Sequence, residues 1–281
     1  MGMHRGAIVE RWFSSITHVE TAGAGPNEGM SFVNVDDRPD HQVLFKDFVD
    51  ELGAELIGQE LIDLYGTWPM YSKFYDYEWP LFHHIHHGEE ACNRFGGVKP
   101  KHEHYFFPKQ YNPTLGALPV SYFGFDPSVT REEVRERLKN YTICDGRITE
   151  LSRAFRLELG TGWYTPAGVL HAPGSLCTYE PQFASDVYAM YQSVLYFDHA
   201  VPEALLWKNC PPERVGDFDY LIEVMDWEKN VDPRFFQNRR MLPLPVGETE
   251  GYIDEWICYK CSTVGARRLT VLPGQSIAFK D

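Results

Sequence analysis

Residues 81–104 read LFHHIHHGEEACNRFGGVKPKHEH and hold His83, His84, His86, His87, His102 and His104, six of the chain's 11 histidines. Packing alone accounts poorly for that density beside Glu103. On a β-strand successive side chains point to opposite faces. Phe82, His84 and His86 would then share one side, and His83, Ile85 and His87 the other. In KHEHYFF (101–107) the same alternation puts Lys101, Glu103, Tyr105 and Phe107 on one face, with His102, His104 and Phe106 on its reverse. Two imidazoles at i and i+2 can chelate one ion, and a carboxylate from a neighbouring strand adds an anionic ligand. A third imidazole from a distant strand closes such a site and leaves positions for water or substrate. An H-x-H pair alone is weak evidence, since it is more often two satisfied polar side chains.

The third imidazole is offered by GTGWYTPAGVLH (160–171). Pro166 and Gly168 suit a tight turn, which would place His171 at the start of the next strand, aimed inward. H-x-H, a Glu and a later Pro-x-Gly-x-x-His together point to a bound metal far more strongly than any one of them.

Composition sets outer limits. The 281 residues suffice for one large domain or two small ones, and 43% apolar with 15% aromatic residues supports a substantial core. With 26 basic against 40 acidic residues the net charge is −14, which argues against a nucleic-acid or anionic-membrane surface. No run of 18 apolar residues suggests a membrane span, and MGMHRGAIVERWF lacks the apolar core of a secretion signal. A cytoplasmic location with free thiols is therefore expected. Cys258 and Cys261 form a lone C-x-x-C, weak evidence for zinc or redox work.

Residues 1–43 read as irregular, with turn material at 21–29 and 36–41. Apolar residues at three- and four-residue spacing predict helix over 44–65, with Gly53 and Gly58 breaking it into two short helices. Residues 70–87 turn toward strand. Thr130 and Glu133 make a T-x-x-E capping box ahead of REEVRERLK, predicting a helix to about residue 140. Strands are expected over 152–159, 162–165 and 187–197, helix over 213–229, and short strands from 252 onward, like the opening of another β-unit.

Gly160-x5-Pro166-x-Gly168-x-x-His171 resembles the second cupin motif, with Ser175 where that motif ends in Asn. KFYDYEWPLFHHIHHGEEA resembles the metal-strand region of type I mannose-6-phosphate isomerases, Lys101–Tyr105 resembles their K-P-E-x-W-Y segment, and TYEPQFASDVYAMYQ resembles their E-x-Q-x-x-S-D-x-x-Y stretch. The resemblance runs from about residue 68 to 193. It implies metal ligands at His84, His86, Glu103 and His171. The ordinary cupin first motif gives a competing alignment, Gly96-x5-His102-x-His104, whose ligands would be His102, His104, Gln110 and His171. A purely structural histidine cluster is the third possibility. The isomerase-like alignment accounts for the upstream strand, Lys101 and residues 180–188 together. Departures are His84 in place of the family's Gln, Pro173 in place of a Tyr, and Ala189 or Met190 in place of an active-site Arg.

The resemblance implies an all-β cupin (double-stranded β-helix, jelly-roll) barrel with helical decorations. Residues 1–67 would form a helical and irregular cover, 68–200 the metal-binding barrel, and 201–281 a helix plus strands resembling the start of a second cupin unit. It further implies an enzyme, a metal-dependent aldose–ketose isomerase of a sugar or sugar phosphate, with Lys101 as charge stabiliser or proton relay and Glu180 as a weaker acid–base candidate. Lys101 as a salt-bridged residue at the barrel mouth is an equal alternative. The cofactor would be one divalent ion, zinc by default, with nickel, iron and manganese also suited to a His3Glu set. A non-catalytic sugar-binding cupin and an iron-dependent cupin oxygenase are the other functions such a site admits. Expected partners are the small-molecule sugar and further copies of the chain in a homo-oligomer, with no nucleic acid and no membrane.

Overall fold

Two antiparallel sheets carry the histidine-rich stretch. The computed structural model describes residues 9–21, 23–77, 80–96, 99–113, 119–195 and 198–278. The six-stranded sheet runs in the order Glu10–Phe13, Met70–Tyr75, Thr178–Phe183, Glu103–Phe106, Gly162–Thr165, Arg240–Met241. The five-stranded sheet runs Ala189–Met190, His84–Ile85, His171–Ala172, Val120–Phe125, Ser152–Arg156. Between them lies an aromatic core, where Tyr105 and Trp163 of the first sheet meet Phe123 of the second, closed by Phe235. Phe123 stacks on Trp163 with ring centroids 5.1 Å apart. Truncating a ring buried this well costs about 3–5 kcal/mol.

A second core forms where the five-stranded sheet meets helices. Ile85, Leu170 and Met190 pack with Val134 and Leu138 of the helix Arg131–Lys139 and with Tyr220 and Leu221 of the helix Phe218–Glu223. The predicted cap is present, with the Thr130 hydroxyl accepting from the Glu133 amide at 3.2 Å. The chain is thus sheet-rich with helices throughout its length. Among the described residues no helix is long and apolar enough to cross a membrane.

Several sequence expectations need correction. The supposedly irregular N-terminal region contains the strand Glu10–Phe13, paired with Met70–Tyr75, and a hairpin of Phe32–Val35 with Arg38–Leu44. Over 44–65 three helices form rather than two, Phe45–Leu52, Ala54–Ile57 and Gln59–Tyr65, because Gly53 and Gly58 each take a positive φ and each ends a segment. Residues 213–229 divide likewise, with Asp217 and Asp226 capping separate helices Phe218–Glu223 and Trp227–Asn230. Of the strand expected over 187–197 only Ala189–Met190 and Val194–Leu195 are extended pairs, and residues 196–197 lie outside the described ones. The C-terminal strands form a three-stranded sheet, Leu244–Glu248, Tyr252–Cys258 and Ala266–Val271. Its Ile257 and Cys258 pack against Phe106. The six cysteines are free, and Cys261 meets the Thr263 hydroxyl at 3.0 Å.

The turn before His171 is fixed from two sides. The Gly168 amide donates to the His86 carbonyl at 2.7 Å, tying the turn to the histidine strand. Gly168 has φ +83°, and a Cβ there would sit 2.7 Å from the Asp226 amide nitrogen, so only glycine fits. Asn230, wholly buried, donates to the carbonyls of Gly168 at 2.6 Å and Asp226 at 2.8 Å and accepts from the Leu170 amide at 2.9 Å. Replacing it would strand buried backbone groups. Asn230→Ala is expected to lower unfolding stability by about 2–4 kcal/mol in denaturant titration, with a loss below about 0.5 kcal/mol showing that water restores those bonds.

Candidate metal centre

His84 and His171 stand directly opposite each other in an antiparallel pair, and His86 follows His84 on the same side. Their rings gather, with centroids 4.2 Å apart for His84–His171 and 5.1 Å for both His84–His86 and His86–His171. Glu103 reaches them from the other sheet. Its Oε1 lies 3.0 Å from His86 Nε2 and its Oε2 3.2 Å from His171 Nε2. The structure therefore brings together His84, His86, Glu103 and His171, all four buried.

The tautomers follow from the backbone. His84 Nδ1 meets the Phe82 carbonyl at 2.9 Å, His86 Nδ1 the Val187 carbonyl at 2.5 Å, and His171 Nδ1 the Val169 carbonyl at 2.8 Å. A carbonyl only accepts, so each Nδ1 carries a proton, which in a neutral ring leaves the lone pair on Nε2. Burial keeps His84 neutral, with its pKa well below the ordinary value, and lowers that of His86 to about 4 despite the opposing pull of Glu103. The Nε2 atoms of His86 and His171 make no hydrogen bond although both are buried. Lone pairs there face an anionic carboxylate at close range, an arrangement that a cation between them would turn from repulsive to attractive. The spacing fits that role. With metal bonds of about 2.0–2.1 Å, adjacent ligand atoms stand roughly 2.9–3.4 Å apart. The three histidines offer nitrogens all within 4.8 Å of one another. These residues could hold a divalent ion, with their Nδ1–H groups oriented by backbone in the manner usual for metal-binding imidazoles.

Glu103 is braced from behind. It accepts from Tyr105 Oη at 2.6 Å, and Lys101 Nζ lies 3.1 Å from Oε1. Burial alone would raise its pKa, but the Lys101 ammonium beside it outweighs this and holds it well below the ordinary carboxylate value. Burial alone would lower the Lys101 pKa, yet Tyr71 and Glu103 raise it, so Lys101 is an ammonium. It shares the Glu103 face as the alternation predicts and is at once salt-bridged and adjacent to the site.

A cleft of about 500 Å³ opens beside this cluster, lined by His84, His86, Lys101, Lys73, Glu10 and Tyr77 among others. Lys73, only 8% exposed, sits 3.3 Å from Glu10 Oε1 and 3.5 Å from Glu180 Oε2. Glu180 pairs across the sheet with Lys73 and stands behind it, outside the described cleft lining. Burial, then Glu103, push the Glu180 pKa well above the ordinary value. Glu10 accepts from Tyr77 Oη, and with Lys73 this overcomes burial and lowers its pKa.

His83, His87 and His102 hydrogen-bond elsewhere, while both ring nitrogens of buried His104 lack a hydrogen-bond partner. His83 Nδ1 donates to Gln192 Oε1 at 3.3 Å, and His87 meets Tyr220 Oη at 2.8 Å. His102 bridges Glu89 at 2.9 Å and Tyr164 Oη at 2.9 Å, and His104 stacks on Tyr164. The competing ligand set is thus spread out, with Gln110 exposed on a short 3-10 turn, Lys109–Tyr111. Sequence reasoning missed Lys73, Glu10 and Tyr105 as members of the site. The signal for Lys73 was available, since Tyr71, Lys73 and Tyr75 share the buried face of one strand. Glu10 had none, because its neighbourhood carries no periodicity long enough to read.

No protein-family model matches the chain, and no curated protein matches it. Solved structures do. A mannose 6-phosphate isomerase from Bacillus subtilis aligns with 94% of the chain at 13% identity and a TM-score of 0.60, covering 70% of that structure. A proposed mannosephosphate isomerase from Archaeoglobus fulgidus aligns with 89% of it at 17% identity and a TM-score of 0.57, covering 66% of its own length. A zinc-bound mannose 6-phosphate isomerase aligns with 90% at 12% identity and a TM-score of 0.51, covering 72% of that chain. The chain thus spans between 66% and 72% of the lengths of these structures. At such identities the likeness is one of architecture, and in architecture the chain is similar to the solved mannose-6-phosphate isomerases.

Proposed function

We propose that the chain is a metal-dependent aldose–ketose isomerase acting on a sugar, built on the cupin unit that the sequence resemblance implies. The observation that carries this reading is the gathering of His84, His86 and His171 nitrogens within 4.8 Å of one another, with Glu103 3.0 Å from His86 Nε2 and 3.2 Å from His171 Nε2, at the edge of a cleft. His84, His86, His171 and Glu103 would hold one divalent ion, zinc by default. Such an ion supplies Lewis acidity to the carbonyl and neighbouring hydroxyl oxygens of an open-chain sugar.

The chain's own groups do the rest. Lys101, held as an ammonium beside Glu103, donates to substrate oxygen as negative charge builds there, which makes it a stabiliser of charge rather than a base. Lys73 lines the same cleft, and Glu180 keeps it in place from behind. Glu10, ionised and lining the cleft, is placed to accept a proton. Burial of these groups excludes bulk water from the reacting atoms.

Three outcomes are expected. His86→Ala and His171→Ala should each weaken zinc binding by more than about 100-fold in calorimetric titration, whereas His102→Ala leaves it within about threefold of the parent. Metal loss in His102→Ala or His104→Ala, with His84→Ala unaffected, would establish the competing ligand set. Lys101→Met should lower kcat by about 10²–10³-fold while the metal content measured by atomic absorption stays unchanged. Isomerisation in the absence of oxygen separates this reading from an oxygenase, and a metal-loaded chain that binds sugars without interconverting them would be a sugar-binding cupin.

A further inference from the structure

Resting on the isomerase reading of this same site, we infer that the cleft selects neutral, unphosphorylated sugars, by carboxylates and aromatic faces arranged where a phosphate would need cations. The cationic side chains among the described lining residues are Lys73 and Lys101. The charge of each is already offset by a carboxylate, so neither offers the surplus positive charge a dianion needs. Lys73 lies between Glu10 and Glu180, at 3.3 and 3.5 Å, and Lys101 is 3.1 Å from Glu103, with both lysines more than nine-tenths buried. Three carboxylates line the same space, Glu10, Glu28 and Asp186. A phosphate entering it meets like charges in a concave, poorly screened setting, where the field of the lining is focused.

Hydroxyl groups meet the opposite situation. A carboxylate has about four acceptor positions and takes two donors side by side, so a pair of neighbouring sugar hydroxyls satisfies it without charge conflict. Asp186 Oδ2 accepts from the Glu20 amide at 2.9 Å and Glu28 Oε2 from the Gly25 amide at 2.8 Å. Both side chains are thereby fixed in place with acceptor capacity to spare. Trp12, Phe82 and Tyr188 also line the cleft and are only half buried. Tyr188 carries the Lys208 ammonium over its ring at 3.8 Å, and the faces of Trp12 and Phe82 suit the C–H side of a sugar. Trp12 is itself held by stacking on Tyr71, with centroids 4.6 Å apart, and by donating to Glu10 at 2.7 Å.

The test uses the zinc-loaded full chain. Turnover of mannose, lyxose and fructose is compared with that of mannose 6-phosphate and fructose 6-phosphate. Calorimetry compares mannitol with mannitol 1-phosphate, neither of which can isomerise. The expected result is a kcat/KM at least about tenfold higher for free sugars and mannitol bound at least about tenfold more tightly than its phosphate, the factor that one charge-assisted contact controls. Glu28→Lys, which puts an unpaired cation at an exposed part of the lining, should shrink that preference by about tenfold. A preference for the phosphorylated compounds in either assay overturns the inference, as does binding of neither polyol or an unchanged ratio in Glu28→Lys. If no sugar turns over yet mannitol still outbinds its phosphate, the neutral-ligand inference stands and the isomerase reading falls.

Discussion

A buried carboxylate facing imidazole lone pairs is the constraint on which the site depends. Each histidine gives its Nδ1 proton to a backbone carbonyl, so a neutral ring there has none left to donate to Glu103. Left alone, this would bring uncompensated negative charge and lone pairs into a low-dielectric space, which is strongly unfavourable. Tyr105 at Oε2 and Lys101 at Oε1 stabilise the carboxylate, and a cation among the imidazoles would complete that compensation. The sheets supply the rigidity. His84 and His171 are cross-strand partners, Gly168 is bonded to His86 through the backbone, and Glu103 is held between Gln182 and Thr165 on neighbouring strands. The four side chains cannot relax apart without breaking ladder hydrogen bonds.

Much of this was legible from alternation alone. Strand period two places His84 with His86 and Lys101 with Glu103 whatever the rest of the chain does. The Pro166–Gly168 spacing forces a tight turn whose only flexible point is a glycine at positive φ. The helix at 131–139 was legible because a side-chain cap is a local interaction. What alternation cannot give is which strands become neighbours. The N-terminal strand Glu10–Phe13 pairs with Met70–Tyr75 some 60 residues on, and a four-residue strand has too few positions to declare a period. Glu10, Trp12 and the carboxylate of Glu28 therefore reach the cleft from a region that reads as turns. Helix ends were misplaced for a related reason, since single capping residues such as Asp217 and Asp226 divide what apolar spacing joins.

The two H-x-H pairs show how one sequence pattern serves two purposes. Around His84 and His86 the backbone carbonyls take the Nδ1 protons, leaving Nε2 to project into shared space. His102 has a partner at each ring nitrogen, Glu89 at one and Tyr164 at the other, so it has no lone pair to offer. It lies on the reverse of the strand that bears Glu103, facing Tyr164 rather than the other sheet. A histidine's availability as a ligand is set by what its second nitrogen meets, and that is a property of tertiary contacts that spacing does not encode.

Lys73 carries the same lesson for charge. In sequence it is one lysine in an aromatic strand. In the fold its ammonium is buried between Glu10 on one neighbouring strand and Glu180 on the other. Removing Glu10, whose lowered pKa keeps it ionised, would leave the buried cation without its main counter-charge, whereas Glu180, with its pKa raised, contributes chiefly as a neighbouring polar group. The three strands are thus tied by charge as well as by ladder bonds. The tie also fixes the polarity of the cleft. A cation so thoroughly compensated contributes position and hydrogen-bond donors but little net field, which leaves the carboxylates of the lining to set the sign that an incoming ligand meets.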